Sequence, residues 1–499
     1  MTAPRVLAID QGTSGTTCLV AGTDGQIHGR AHVEVQVRYP RDGWVEQDAE
    51  ELWQSVLAAA RTAIEAAGNP APVAIGITNQ RETLVVFERA SLRPVAPAIV
   101  WQCRRSAALC AVHRERGEED ALRRRTGLLL DPYFTATKLE WLLAEQPELR
   151  ARAERGELCA GTVDTWLVAR LSGGTEFVTD ASNASRTLLY DLGRGDFDAD
   201  LGAMFGVPAG LLPEVRDSAG RVALSDPDSF LGMRLPISGI AGDQQAALFG
   251  QACLAPGMSK NTYGTGSFIL VNTGTTVPDP VHGLLGTVAW RIGGRDTFAL
   301  EGSIFVTGAG LKWLRDGLGL IAAADEAGPL FDSVVDSNGC IFIPALSGLG
   351  APYWDPGARG ALLGLTAGVS RAHVVRAVVE AMAYRTRDVV EAVEQGAGLT
   401  LEELRVDGGA SVMDGLCQFQ ADLLALPVTR AASAETTALG AAMLAAVGEG
   451  IIDMPAGVEA AHHPGRRFEP ATPGQRPEAK YAAWKEAVAR VRTQPPKPQ

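Results

Sequence analysis

A short apolar segment that runs into an aspartate, followed by a turn of glycine, serine and threonine, occurs near the N-terminus and again in the middle of the chain. Each occurrence is interpreted most naturally as a strand, a turn and a second strand. The repetition suggests an internal structural duplication, which the pattern alone leaves open. The first occurrence comprises residues 6–10, 12–17 and 18–21, and the second comprises residues 237–243, 263–267 and 268–272.

Helical and strand patterns alternate along the rest of the chain. Asp48 can cap a helix at residues 48–67, and Glu51 can complete a capping box there. A buried strand is predicted at 73–77, and the small residues at 435–442 suit a helix that packs close to another backbone. Because the two patterns alternate, and because 499 residues are too many for one hydrophobic core, we predict an α/β protein of two or three domains.

Three glycine-rich turns, each close to the end of a strand, can hold phosphate groups. They lie at residues 10–17, 263–267 and 407–410, and their backbone N–H groups and hydroxyls are suitable donors. The sequence contains no Gly-Lys pair and no Gly-x-Gly-x-x-Gly, which excludes a P-loop, a dinucleotide fingerprint and a protein-kinase glycine loop. Asp10 and Asp243 accompany the turns and are suited to holding Mg²⁺ through water and to accepting a proton.

The motifs around these turns resemble the FGGY family of carbohydrate kinases, and within it the members that act on glycerol. The resemblance extends from residue 6 to about residue 488, and many long matches occur in the family's order. Examples are DQGT at 10–13, TNQRET at 78–83, GDQQ at 242–245 and NTYGTG at 261–266. Further matching segments lie at residues 43–46, 101–105, 131–134, 161–166, 350–355 and 405–409.

The resemblance implies two ribonuclease-H-like domains of the actin-like ATPase type, with the active site in the cleft between them. Residues 1–250 would form the N-terminal domain with the glycerol site and a phosphate turn. Residues 251–499 would form the C-terminal, nucleotide-binding domain, with a tail that frays from about residue 493. The implied reaction is the ATP-dependent phosphorylation of glycerol to sn-glycerol 3-phosphate, in glycerol catabolism and in the supply of glycerolipid precursors. ATP and Mg²⁺ are the implied cofactors.

The resemblance also assigns site residues, and their chemistry is consistent with that assignment. Arginine donates in a planar fork and carboxylates accept, so together they can grip vicinal hydroxyls, while aromatic rings press on the C–H edge of a triol. Asp243 is expected to act as the general base, and Asp10 to hold the metal. Glycerol would contact Arg81, Glu82, Trp101, Tyr133, Asp243, Gln244 and Phe268. The nucleotide would contact Thr13, Ser14, Thr265, Gly308, Lys312, Gly409 and Met413.

Three positions on the nucleotide side depart from the family. Thr17 stands where Arg or Lys is usual, Lys312 where Gln is common, and Met413 where Asn is common. One interpretation is tolerated drift, with the phosphates carried by Mg²⁺ and backbone N–H groups; another is an altered preference for the phosphoryl donor, and loss of kinase activity is a third. Some members of the family bind fructose 1,6-bisphosphate through a Gly-Gly-Lys loop, and others are phosphorylated on a histidine nearby. Residues 229–235 lack that loop and no histidine lies between residues 113 and 282, so neither form of regulation is expected here.

Charge and cysteine content limit which partners the protein can bind and in which compartment it can reside. A net charge of −13 argues against nucleic-acid binding. We expect no signal peptide and no membrane insertion, since no apolar run is long enough to span a bilayer. Seven cysteines without a Cys-x-x-Cys pair indicate reduced thiols and a cytoplasmic protein. The histidine pair at 462–463 is expected to be solvated rather than metal-binding. The family commonly forms dimers or tetramers, so a homo-oligomer is expected.

Three other functions remain open on the sequence. A kinase of the same family for another acceptor, such as xylulose or erythritol, would need a larger pocket than Trp101, Tyr133 and Phe268 suggest. An actin-like nucleotide switch without a small-molecule substrate would have no use for the Arg81-Glu82 and Asp243-Gln244 pairs. A weakly active paralogue that senses glycerol is compatible with the departures on the nucleotide side.

Overall fold

A thirteen-stranded sheet runs through the whole molecule. The computed structural model describes residues 4–281 and 283–493. The strands of the sheet occur in the order β23-β22-β21-β15-β16-β18-β17-β13-β14-β5-β1-β2-β3. The strands of the first half are β1 (Arg5–Gln11), β2 (Gly15–Gly22), β3 (Ile27–Glu34), β4 (Glu46–Gln47), β5 (Ala74–Asn79), β6 (Val85–Glu88), β7 (Ala98–Ile99), β8 (Leu158–Gly161), β9 (Val178–Asp180), β10 (Tyr190–Asp191), β11 (Asp196–Phe197), β12 (Glu214–Arg216), β13 (Ala219–Leu224) and β14 (Pro236–Gly242).

The second half supplies the remaining strands and the longest helix. Its strands are β15 (Ser259–Tyr263), β16 (Ser267–Gly274), β17 (Leu285–Ile292), β18 (Arg295–Ile304), β19 (Ile341–Ile343), β20 (Ala361–Leu363), β21 (Leu404–Asp407), β22 (Val428–Ala431) and β23 (Pro464–Phe468). The helices of the chain are α1 (Ala49–Ala66), α2 (Ala107–Glu115), α3 (Glu119–Thr126), α4 (Thr135–Glu145), α5 (Pro147–Glu154), α6 (Val163–Leu171), α7 (Ala181–Ala184), α8 (Ala199–Met204), α9 (Asp243–Gly250), α10 (Gly308–Lys312), α11 (Ala327–Asp332), α12 (Arg371–Ala397), α13 (Asp414–Leu424), α14 (Thr436–Gly448), α15 (Ala456–Ala461) and α16 (Glu478–Val491).

The two halves of the sheet repeat one pairing pattern. In the first half, β1 pairs antiparallel with β2 and parallel with β5, and β5 pairs parallel with β14. In the second half, β15 pairs antiparallel with β16 and parallel with β21, and β21 pairs parallel with β22. An antiparallel strand then flanks β14 and β22 alike. The duplication suggested by the two glycine turns is therefore confirmed, together with the α/β class. The predicted start of the second copy is wrong, because residues 237–242 form β14 of the first half and lead into α9, and the counterpart of β1 is β15.

Helices α9 and α14 pack against each other and against the first half of the sheet, although α14 comes from the end of the chain. Their backbones approach so closely that side chains would not fit. A Cβ atom at Gly440 would lie 1.9 Å from the carbonyl oxygen of Ala246, and one at Gly250 would lie 2.2 Å from that of Thr436. The prediction of a small-residue helix packed close to another backbone is confirmed, and the helix extends beyond residue 442 to Gly448.

At the start of helix α1, the predicted cap is present but the predicted capping box is not. The side chain of Asp48 accepts a hydrogen bond from the backbone N–H of Glu50, so the predicted cap is formed. The capping box is not formed, because Glu51 Oε1 accepts from the backbone N–H of Gln36 at 2.8 Å instead. The neighbouring segment therefore competes successfully for this carboxylate, a tertiary contact that the local pattern does not reveal.

The described residues also bear on membrane association, thiol chemistry and the C-terminus. Among them, no helix combines the length and the apolar character needed to cross a bilayer. All seven cysteines are free and buried. The tail predicted to fray lies outside the described residues except for Thr493, whose hydroxyl and backbone N–H donate to Asp355 at 2.5 and 2.6 Å.

Candidate active site

The predicted acceptor residues Arg81 and Asp243 meet at one edge of the sheet. Strands β5 and β14 are parallel neighbours, and Gly242 is paired with Asn79, so the residues that follow each strand are brought together. Asp243 is the first residue of α9. A Cβ atom at Gly242 would lie 2.6 Å from the Arg81 side chain. Only glycine therefore allows the arginine to pass over this strand end.

Arg81 is the centre of the site, and three of the predicted residues contact it. Its Nε lies 3.1 Å from Asp243 Oδ1 and 4.0 Å from Glu82 Oε1. Its Nη2 lies 3.5 Å from the hydroxyl of Tyr133. Arg81 is 3% exposed, whereas the Asp243 side chain is 30% exposed. The arginine is thus a buried anchor, and the aspartate is the most exposed member of this group.

This anchor belongs to a buried ionic network of four residues, Arg81, Glu82, Arg186 and Glu301. Arg186 Nε donates to Glu82 Oε1 at 2.6 Å, and Arg186 Nη2 donates to Glu301 Oε1 at 2.9 Å. Arg81 Nη1 donates to Glu301 Oε2, which closes the network. Two guanidinium groups therefore share two carboxylates, and each charge has a partner of opposite sign, as burial requires.

The two carboxylates of this network differ in their proton affinity. Burial alone would raise the pKa of Glu301, but the guanidinium groups of Arg186 and Arg81 lower it to about 2. Burial raises the pKa of Glu82 despite the opposing effects of Arg186 and Arg81. Glu301 therefore stays charged over the ordinary pH range, whereas Glu82 takes up a proton more readily than a free glutamate does.

The backbone of Glu82 is held in an unusual conformation. Its φ angle is +60°, which is sparsely populated for a residue with a side chain. Its carbonyl oxygen accepts hydrogen bonds from Thr135 Oγ1 at 3.2 Å and from Lys138 Nζ at 3.3 Å. Lys138 also donates to the carbonyl oxygen of Tyr133. One buried lysine therefore fixes the main chain of two predicted substrate residues.

Aromatic rings form a wall beside these polar groups. Trp101 packs edge to face against Tyr133, with centroids 5.7 Å apart, and against Phe268, with centroids 6.4 Å apart. The Arg81 guanidinium lies 5.6 Å from the centre of the Phe268 ring. The predicted glycerol residues thus form one contiguous group, with a polar side at Arg81 and an apolar side at Trp101.

The first glycine turn is fastened to this wall through Thr13. Gln47 Nε2 donates to the Thr13 carbonyl at 2.7 Å, and the Trp101 indole N–H donates to Thr13 Oγ1 at 2.9 Å. Gln80, which immediately precedes Arg81, donates to Gln47 Oε1 at 2.8 Å. Ser14 is exposed at the tip of the turn. The turn is therefore positioned by the same segment that carries the acceptor residues.

Two other carboxylates act electrostatically on Asp10. Burial, followed by the charges of Asp243 and Glu435, raises the pKa of Asp10 to about 8. Such a concentration of negative charge suits a divalent cation with oxygen ligands. In the described part of the chain, no group of three or more His, Cys, Asp or Glu could hold a metal by itself. A cation at Asp10 would therefore take its remaining ligands from water and phosphate, as Mg²⁺ commonly does.

Gln244 lies next to Asp243 and is held from the second half of the chain. Its side-chain oxygen accepts a hydrogen bond from Lys260 Nζ, on strand β15. Lys260 is fully buried, and it also donates to Thr262 Oγ1 at 2.9 Å. This lysine was not predicted, because it immediately precedes the matching segment at 261–266 and does not belong to the predicted ligand set.

The other two glycine turns adjoin each other in the second half. The backbone N–H of Gly308 donates to the Gly264 carbonyl at 3.0 Å, next to Thr265. A Cβ atom at Gly408 would lie 2.5 Å from the Tyr263 carbonyl oxygen, and its φ of +84° also favours glycine. Gly409 follows this close approach and is exposed. The predicted phosphate turns are thus neighbours.

The positions that depart from the family differ in their environment. Met413 is buried in the core cluster around α12, and a Cβ atom at Gly328 would lie 3.6 Å from its Cγ. Lys312 is exposed at the end of α10. Thr17 Oγ1 lies 2.9 Å from Nδ1 of His32, which is exposed on strand β3.

Four buried charged residues of the site were not predicted from the sequence. Arg186, Glu301, Lys138 and Lys260 are all buried and contact predicted substrate residues. Glu301 is the single charged residue at positions 298–304 of β18, but a lone charge in a strand does not by itself predict burial. The other three carry no pattern of their own. The expectation for the histidine pair needs a correction: His463 is exposed, but His462 is half-buried, and burial lowers its pKa to about 4.

Comparison with known families gives a match over most of the chain. The model of the N-terminal domain of the FGGY family of carbohydrate kinases matches residues 5–250. The model of the C-terminal domain of the same family matches residues 259–449.

Individual proteins are similar over almost their full lengths. The glycerol kinase of Dechloromonas aromatica is 53% identical over 487 residues, which are 97% of this chain and 97% of that protein. The glycerol kinase of Rhodospirillum rubrum is 50% identical over 490 residues, covering 98% and 99% of the two chains. The crystal structure of Plasmodium falciparum glycerol kinase with ADP has a TM-score of 0.92 and 31% identity, and covers 99% of each chain.

Proposed function

The chain belongs to the FGGY family of carbohydrate kinases, and from this premise we propose that it transfers the γ-phosphoryl group of MgATP to a terminal hydroxyl of glycerol. The product is sn-glycerol 3-phosphate. Relatives named glycerol kinase at about half identity over nearly the full chain support this choice of acceptor. The single structural observation that carries it is the contact of Arg81 with Asp243, Glu82 and Tyr133 beside an aromatic wall.

The geometry of this group suits a small triol. Arg81 donates, Asp243 and Glu82 accept, and the side chains converge from two segments, one at residues 81–82 and one at residue 243. The rings of Trp101 and Phe268 offer an apolar surface for the C–H edge. A buried anchor that is already paired loses little conformational freedom when the ligand arrives, so the site is largely preorganised.

Asp243 is the general base in this proposal. Its Oδ1 accepts from the backbone N–H of Gln244 at 2.7 Å and lies 3.1 Å from Arg81 Nε. Both contacts use Oδ1, which leaves Oδ2 to accept the proton of the attacking hydroxyl. The side chain is part-exposed and can be reached by an acceptor. Phosphoryl transfer depends mostly on positioning and charge neutralisation, so the base is one contribution among several.

Asp10 is the residue that would hold Mg²⁺, and its surroundings fit that ion. Its carboxylate is half-buried and is subject to the negative charges of Asp243 and Glu435, which suits a cation although those two carboxylates also pair with Arg81 and Arg30. Mg²⁺ bound there would neutralise charge on the phosphates. The nucleotide itself would lie along the glycine turns, with Thr13, Ser14, Thr265 and Gly409 near the phosphates and Gly308, Lys312 and Met413 towards the nucleoside.

The division into domains belongs to the same proposal. We place the N-terminal domain at residues 1–250 and the C-terminal domain at 251–499, with the reaction in the cleft between them. Closure of such a cleft would exclude water from the transferring phosphoryl group. We also propose a cytoplasmic homodimer or homotetramer that serves glycerol catabolism and glycerolipid precursor supply. Seven free, buried cysteines suit a reducing compartment.

The test is ADP release from MgATP by the purified protein, with and without an acceptor. Glycerol, erythritol, xylulose and a buffer control form the panel. The proposal predicts release that requires glycerol and is much slower with the larger acceptors. Release that prefers xylulose or erythritol would instead indicate another carbohydrate kinase of the family. Release independent of any acceptor would indicate a nucleotide switch, and binding of glycerol without turnover would indicate a sensor.

A further inference from the structure

We propose that Lys260 is a positioning residue for the acceptor side of the site. Its ammonium group fixes the side-chain amide of Gln244 so that the NH₂ end of that amide faces the acceptor. This inference rests on the proposed function, because it assigns a role within the glycerol site. It adds a residue from the second half of the chain to a site whose other polar members come mostly from the first half.

The direction of the amide follows from the chemistry of the two groups. A lysine ammonium has three N–H donors and no acceptor, so only the amide oxygen of Gln244 can face it. Lys260 Nζ donates to Gln244 Oε1 and to Thr262 Oγ1, the latter at 2.9 Å. Gln244 Nε2 makes no hydrogen bond to any of the residues that the structure describes. The amide therefore presents a donor pair to a ligand oxygen.

The lysine is held where it can act on Gln244 but not on a ligand. Its side chain is fully buried, while Gln244 is 7% exposed. It extends from β15, and Gln244 lies in the first turn of α9, so the contact joins two elements that bound the site. A phosphate or a triol would have to displace Gln244 to reach the ammonium. Lys260 thus acts through Gln244.

Two nearby carboxylates help to keep Lys260 in its charged form. Burial lowers the pKa of Lys260 to about 8, and the carboxylates of Asp407 and Asp243 oppose that effect. The charged form is therefore the main form at neutral pH. An uncharged lysine could accept a hydrogen bond and would no longer dictate which end of the amide faces it.

The experiment compares Lys260→Met, Gln244→Ala and the double variant by steady-state kinetics. Lys260→Met preserves much of the side-chain volume and removes the donor. Loss of one hydrogen bond to a charged group predicts a rise in the glycerol KM of about 10-fold, with the ATP KM changed by less than about 2-fold. The double variant should be scarcely worse than Gln244→Ala, because the lysine acts through that amide.

Two further variants separate positioning from general stability. Thr262→Val removes only the other hydrogen bond of the ammonium, so its glycerol KM should stay within about 2-fold of the wild type. Lys260→Arg restores a donor and should recover part of the lost affinity. If Lys260→Met does not fold, Lys260→Arg is compared with the wild type and with Gln244→Ala instead. A glycerol KM between those of these two proteins would support the role of Lys260.

The outcomes distinguish this inference from the proposed function. An active wild-type enzyme whose Lys260→Met variant keeps its glycerol KM would overturn the role of Lys260 alone. Additive losses in the double variant, or a rise in the ATP KM equal to that for glycerol, would also overturn it. A wild-type enzyme that releases no ADP with glycerol would overturn both proposals.

Discussion

The indole N–H of Trp101 donates a hydrogen bond of 2.9 Å to the side-chain oxygen of Thr13. The tryptophan belongs to the aromatic wall of the proposed acceptor site, and the threonine belongs to the first glycine turn, where we place the phosphates. The two substrates of the proposed reaction are therefore served by residues in direct contact. A change in the position of Trp101 should therefore also change the position of Thr13.

Trp101→Phe keeps an aromatic ring but removes this hydrogen bond. We expect the KM values for glycerol and for ATP both to rise, by roughly 3- to 10-fold, since a single net hydrogen bond is lost at a shared contact. Thr13→Ser, which retains the hydroxyl, is the matched control. A variant in which only the glycerol KM rises would contradict the coupling.

Asp243→Asn should retain nucleotide binding and lose turnover. A general base typically contributes about 10²–10⁴-fold, and kcat should fall by that amount. Asp196→Asn, at an exposed aspartate of the β10–β11 pair outside the proposed site, is the control for loss of a charge. Nucleotide binding is measured by calorimetry and turnover by ADP release. Near-normal turnover would remove Asp243 from the role of base.

Glu301→Gln removes one charge from the buried four-membered network. Breaking a buried ion pair on one side typically costs about 3–5 kcal/mol, because the remaining guanidinium charge is left uncompensated. We expect a loss of that order in the free energy of unfolding of the first denaturant transition, together with weaker glycerol binding. Glu214→Gln, in an exposed pair with Arg216, should change stability by less than about 1 kcal/mol. Equal effects of the two substitutions would contradict the assignment.

Asp164 predicts how stability depends on pH. Burial and the neighbouring carboxylate of Asp180 raise the pKa of Asp164 to about 7, against about 3.9 in an unfolded chain. The folded state therefore binds more protons than the unfolded state between these values, so the free energy of unfolding falls as pH rises from about 4 to 7.

The slope assigned to Asp164 can be isolated by substitution. Asp164→Asn cannot ionise, and its unfolding free energy should vary less across this pH range than that of the wild type. Urea denaturation at pH 5 and pH 7.5 provides the comparison. Identical pH profiles for the two proteins would contradict the raised pKa.

Thr17→Arg tests whether the absent cation matters for the nucleotide. Thr17 already has a partner in His32, and backbone N–H groups of the turn are available for phosphate, so we expect the ATP KM to change by less than about 3-fold. A much lower ATP KM would instead show that the turn is short of positive charge. Initial rates at saturating glycerol give the comparison.

The sequence predicted those parts of the fold and site that depend on local pattern. Asp48 caps α1 as expected, and the small residues after 435 form the closely packed helix α14. Arg81 and Glu82 adjoin in sequence, and their motif was visible. The capping box at Glu51 failed because a contact with Gln36 outweighed the local preference.

The buried network could not have been predicted from local pattern. Arg186 and Glu301 are separated from Glu82 and Arg81 by 104 and 220 residues along the chain, and only the topology of the sheet brings them together. Their burial is also invisible in a sequence, since lone charged residues are usually exposed. The same reasoning applies to Lys260, whose role follows only from the position of Gln244.

The most direct test of the central claim is identification of the product. Purified protein is incubated with MgATP and glycerol, and ADP and phosphorylated glycerol are quantified together, with Asp243→Asn as the matched variant. The account predicts one equivalent of sn-glycerol 3-phosphate for each ADP, and a rate at least about 100-fold lower in the variant. ADP formed without glycerol 3-phosphate, or equal rates for the two proteins, would contradict it.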